Sequence, residues 1–181
     1  MRSLYLANVT VHILAAMLWL GGMFFLGVVG APALRAVEPA ALRQRIFQEL
    51  GIRFRSVGWW AIGVLLVTGT LNLYFRGWLH WDGVLGSSHF WTTPVGHALA
   101  LKLLGVSAMI VVSSIHDFVL GPRAGRAAPG SPQAISLRVH AAHLARLNAL
   151  LGVVVVIAAV LLARGGYGES ERMQKAESRK Q

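Results

Sequence analysis

The stretch PVGHALALKLLGVSAMIVVSSIHDFVL, from Pro94 to Leu120, decides the fold. It is longer than the about 20 apolar residues that a helix needs to cross a bilayer. A single cation, Lys102, interrupts it near the outer third. An ammonium at membrane depth costs roughly 2.5–3.5 kcal/mol on insertion scales. Lys102 is therefore expected to face a partner, a cavity or an interface. His12 lies about as deep in a second apolar run, and together they predict a membrane protein with a polar interior.

Working outward, three further runs match the first: about Ala7 to Gly30, Val57 to Phe75, and about Leu144 to Ala163. Over the 181 residues, 55% are hydrophobic and 13% charged, against about 25% charged in a soluble domain. The fold class expected is all-α: a polytopic bundle of four transmembrane helices (about 7–30, 57–75, 94–120 and 144–163) within a single domain, 1–166. Residues 167–181 mix both charge signs without an apolar anchor and read as a disordered tail. No repeat of fixed period is apparent. Ala31-Pro32-Ala33 loosely resembles a signal-peptidase site, but the run before it is too long and its start too weakly charged for a signal peptide.

The net charge is +10. It sits in loops and tail, so anionic headgroups and the positive-inside rule explain it better than nucleic acid. Arg35, Arg43, Arg45, Arg53 and Arg55 lie between the first two runs. Arg123, Arg126, Arg138 and Arg146 lie between or beside the last two. Both loops are expected in the cytoplasm, with both termini and the Arg76–Thr93 loop outside, in a bacterial inner membrane. From Pro39, Leu42, Ile46 and Leu50 share a face, which predicts a short amphipathic interfacial helix. Gly121 to Ser131 reads as a plain linker. The absence of cysteine excludes disulfides, thiolate metal sites and covalent c-type haem.

At helical spacing, His12, Trp19, Met23 and Gly30 line one face of the first helix; Lys102, Gly105, Met109, Ser113 and His116 line one face of the third. Small and polar residues on one face predict inward packing. Thr68 and Asn72 share a face of the second helix, so an outer cluster of His12, Asn72 and Lys102 is expected. His97 lies on a different face from Lys102 and is free to reach His12. A second cluster is expected at the cytoplasmic end: His116 and Asp117, with His140 and His143 one turn apart. Asp117 either orients an imidazole or pairs with Arg123 or Arg126. His80 and His89 are outer-loop candidates. Imidazoles at two depths suit a metal or haem, and the thioethers of Met23 and Met109 suit Cu(I), although packing is the simpler role for a methionine. No Walker loop, nucleophile elbow or catalytic carboxylate pair is present, so an enzyme is not the expectation.

These residues resemble a family. His12 followed by Trp19-Leu20-Gly21-Gly22, Arg53-Phe54-Arg55 leading into Val64-Leu65-Leu66-Val67-Thr68-Gly69, Lys102-Leu103-Leu104, and His116-Asp117-Phe118 before Gly121-Pro122 resemble CopD-type copper-resistance membrane proteins over about residues 8 to 164. The resemblance implies copper binding or transport at the cytoplasmic membrane, with the lipid bilayer and a periplasmic copper-binding protein as partners. A homo-oligomer stays open.

A weaker similarity, on the spacing of His12, Trp19 and Gly22, is to HemJ-type protoporphyrinogen oxidases, from which the His97–Lys102 spacing departs. It implies haem or porphyrin chemistry as an alternative. Four-helix bundles also build cofactor sites from side chains on facing helices, so a b-haem or quinone-linked oxidoreductase would take His12 and His97 as one ligand pair and His116 with His140 or His143 as the other. A structural or assembly partner without chemistry is the remaining alternative.

Overall fold

The computed structural model describes residues 2–79, 84–128 and 131–164. The tail and His80 lie outside them. Four helices long and apolar enough to cross a membrane make up the fold: α1 (Arg2–Arg35), α2 (Ala40–Phe75), α3 (Pro94–Arg126) and α4 (Pro132–Ala163). The chain is therefore an all-α polytopic bundle, as its hydropathy predicts. Large apolar side chains cover its outside, with Trp60 75% exposed and Leu104 69%, a surface suited to an apolar surrounding such as lipid.

The helix ends follow local chemistry. Thr93 and Ser131 cap α3 and α4, their hydroxyls accepting from the backbone N–H of Gly96 (3.0 Å) and Ala134 (3.1 Å). Proline follows each cap, where its missing N–H costs nothing. Helix α2 stops at Gly77, whose φ of 72° suits glycine. The Trp78 N–H then reaches back to the Leu73 carbonyl at 3.0 Å, closing the turn.

Two expectations need correction. The amphipathic segment after Pro39 is continuous with α2, because no proline stands between Leu50 and Val57 and the single Gly51 costs only about 1 kcal/mol in a helix. Gly121-Pro122 does not begin a linker either: α3 continues to Arg126. A π-helical turn at Ile115–Leu120 precedes that proline, and a matching one at Leu26–Gly30 precedes Pro32 in α1. The wider turn relieves the clash of each ring with the preceding turn.

The two π-turns belong to a larger regularity. Adding 90 to a residue number in the α1–α2 hairpin gives its equivalent in the α3–α4 hairpin. Ala15 and Gly105, Trp19 and Met109, Gly58 and Asn148, Ile62 and Gly152, and Thr68 and Ala158 are all buried. The ends of both π-turns, Gly30 and Leu120, and their prolines, Pro32 and Pro122, obey the same shift. The bundle is thus two helical hairpins running in the same direction, with several buried positions and both prolines set 90 residues apart. Few residue types survive the shift, so the repeat lives in burial and backbone rather than in sequence.

Glycines let the elements close up. Leu20 fills the space beside Gly152, Val155 that beside Gly105, and the Phe54 ring that beside Gly22. At Gly96 a Cβ would strike the backbone carbonyl of Phe90, which has no rotamer by which to yield. Gly96→Ala is expected to destabilise the protein by about 2–3 kcal/mol through overpacking, while Gly21→Ala, which meets nothing within 4 Å, is neutral. Thermal unfolding of both variants in mild detergent checks this. Equal midpoints would refute it.

Candidate functional site

Two polar layers lie inside the bundle. The first is near the start of α1. Thr68 is buried on α2, and its hydroxyl donates to the Val64 carbonyl of the preceding turn at 2.6 Å. A hydroxyl has one proton, so toward His12, 2.7 Å away, the oxygen accepts. The hydrogen-bond network thereby assigns the imidazole proton to Nδ1 and leaves the Nε2 lone pair open. Asn8, one turn before His12, donates to the Thr68 carbonyl (3.0 Å) and to Asn72 Oδ1 (2.9 Å). Lys102, partly buried on α3, lies within electrostatic reach of His12, and Arg76 within reach of Lys102.

The second layer is eleven residues further along α1, or roughly 16 Å at 1.5 Å per residue. Asn148, on α4 and 5% exposed, donates to Ser113 Oγ (2.9 Å) and to Met23 Sδ (3.3 Å). Between the layers Trp19 and Met109 pack in one cluster with Ala61 and Ile62. The repeat explains the stacking. His12 and Lys102, Trp19 and Met109, and Met23 and Ser113 are each an equivalent pair, and each pair converges on the seam between the hairpins.

At the arginine-rich end, the π-turn of α3 carries His116 and Asp117. Consecutive side chains on an ordinary α-helix diverge. On this turn the His116 Nδ1–H donates to Asp117 Oδ1 at 2.8 Å, and the Trp59 indole donates to the other oxygen at 3.0 Å. The Arg55 guanidinium donates to the Asp117 carbonyl at 3.1 Å and lies over the Phe118 ring. Asp117 thus orients an imidazole, that of its own neighbour, and forms no ion pair with Arg123 or Arg126 among the described residues.

Of the residues expected from sequence, His12 and Asn72 are tied into the first layer through Asn8 and Thr68 rather than by direct contact, while Lys102 reaches it only electrostatically. Met23 joins the second layer and Met109 the wall between them. His116 and Asp117 pair as described. His97 and His89 are exposed, so His97 does not turn inward to join His12. His140 and His143 are exposed too, and the His140 Nδ1–H donates back to the Ser136 carbonyl at 2.8 Å. They do not join His116. No group of three or more His, Cys, Asp or Glu capable of holding a metal occurs among the described residues.

Sequence reasoning passed over Asn8, Trp59 and Asn148. Asn148 carried a visible signal, an amide inside the apolar run of α4. Trp59 carried none, since an interfacial tryptophan is ordinary.

Fold and interior together define a small multi-pass membrane protein built from repeated hairpins around a polar seam. The family model of copper resistance protein D, CopD, matches residues 48–162, and the chain belongs to that family. It is 31% identical over 167 residues to a protein of Aquifex aeolicus (strain VF5), described as an uncharacterized protein, with 91% of this chain and 97% of the relative covered. No solved structure matches. The matched segment includes Lys102, Asn148 and the His116–Asp117 pair, and begins after His12.

Proposed function

We propose that this copper-resistance-type membrane protein binds copper within the bundle and passes it across the bacterial cytoplasmic membrane, with His12 as the first buried ligand. The observation that carries the reading is the open Nε2 of His12, held in place by Thr68 inside an otherwise apolar span. Imidazole is a good copper ligand, and a hydrogen bond at the other ring nitrogen fixes which nitrogen is available. One imidazole binds weakly, which suits an ion that must leave again. Lys102 strengthens that tendency, because its charge opposes a cation at His12.

Under this reading the arginine-rich end faces the cytoplasm by the positive-inside rule. The opposite mouth, where His89 and His97 are exposed, meets a periplasmic copper-binding protein. His116, with Nδ1 engaged by Asp117 and Nε2 open, is the last imidazole on the path.

His12→Ala is expected to reduce radioactive copper flux into proteoliposomes at least tenfold and to abolish the protein's effect on growth under copper stress. An unchanged copper response in that variant would sink the proposal. A Soret band with reducible α-bands in the purified protein would replace it with the haem reading.

A further inference from the structure

We infer that Met23, Asn148 and Ser113 form a second station for the cargo, one that takes copper as the monovalent ion. The inference rests on copper being the cargo, and goes beyond it in naming a site and an oxidation state.

The first observation is an orphan. Both protons of the Asn148 amide nitrogen are directed to partners, Ser113 Oγ and Met23 Sδ. The amide oxygen, Oδ1, is buried and has no hydrogen-bond partner among the described residues. Such groups are rare and costly in native proteins. The amide that holds the Met23 sulfur therefore presents an unused donor oxygen beside it.

The second observation is the chemistry of the donors. Met23 offers a soft thioether, and Asn148 and Ser113 offer neutral oxygens. Thioether ligands select Cu(I). The neutrality of these donors agrees. The cost of burying an ion grows with the square of its charge, and it is already several kcal/mol for a unit charge in a protein interior. Neutral donors leave a divalent ion uncompensated and tolerate a monovalent one far better.

The third observation is placement. The station lies on the same seam as His12, on the far side of the Trp19 and Met109 pair. It is also where the two hairpins differ. The second hairpin carries Asn148 where the first carries Gly58, and Trp19 packs against Gly58 at ordinary contact distance, 3.5 Å from an added Cβ. The repeat thus places a bulky wall on one side of the seam and a polar amide on the other.

The test uses the full chain in mild detergent, titrated anaerobically with Cu(I) against a chromophoric chelator and read by X-ray absorption at the copper edge. The wild-type protein should show a sulfur neighbour to copper. Met23→Leu, a volume-conserving change, should lose that neighbour and weaken Cu(I) binding at least tenfold. His12→Ala should keep the sulfur neighbour. Met17→Leu, altering a methionine 65% exposed on the outside, should change nothing. A sulfur neighbour that persists in Met23→Leu, or a wild-type site with only nitrogen and oxygen neighbours, would overturn the station while leaving copper as cargo intact. No Cu(I) bound by the wild type, with no copper flux either, would remove both.

Discussion

Lys102→Met protein is expected to hold copper roughly 30-fold more tightly than the wild type and to release it more slowly. The reason is electrostatic. Like unit charges about 4 Å apart repel by about 4 kcal/mol at an effective dielectric of about 20, and about half of that, on the order of 2 kcal/mol, corresponds to the 30-fold change. Methionine keeps most of the volume and removes the charge. Equilibrium dialysis with copper measures retention, and flux into proteoliposomes measures passage. The two should move in opposite directions. If retention instead falls with flux, Lys102 is itself part of the binding machinery, holding an anionic group rather than repelling a cation, and the copper path through His12 is wrong.

Asp117→Ala should give the second large effect, a loss of about 2–4 kcal/mol in stability. Hydrogen bonds to a charged group are worth about 1.5–3 kcal/mol each. This carboxylate accepts from Trp59 on α2 and His116 on its own turn. Its side chain is 20% exposed, so solvent recovers part of the loss. The two hairpins should separate first at the arginine-rich end, where α2 and α3 are tied by these groups. A cysteine pair placed across α2 and α3 at that end reports the separation by its crosslinking rate. Wild-type stability in Asp117→Ala would show that the Trp59 and His116 contacts contribute little. Asp117→Asn, which keeps one acceptor oxygen, should lie between the two.

The amphipathic stretch and the proline-bearing loop show where sequence reading stops. The face of Leu42, Ile46 and Leu50 was legible, but whether that helix stood apart from α2 depended on what followed, where Gly51 is tolerated and no proline stops the helix. Pro122 signals an end to a helix only if the preceding turn is regular. A π-turn removes that premise, and its i-to-i+5 bonds have no residue signature of their own.

Composition and order of residues alone determined four spans, an inward-facing polar stripe on α1 and α3, and the family. Those are properties of single segments, because hydropathy and helical periodicity act within about twenty residues. Only the tertiary structure decided that several buried positions of the two hairpins recur 90 residues apart, since burial recurs there while residue types do not. It alone decided that Thr68 sets the proton of His12, that Asn8 reaches Asn72, and that Asn148 of the last helix meets Met23 of the first, 125 residues away. A hydrogen bond spans about 3 Å, so its partner is chosen by how helices are rotated and offset against each other. That choice is made by packing between segments, which no single segment encodes.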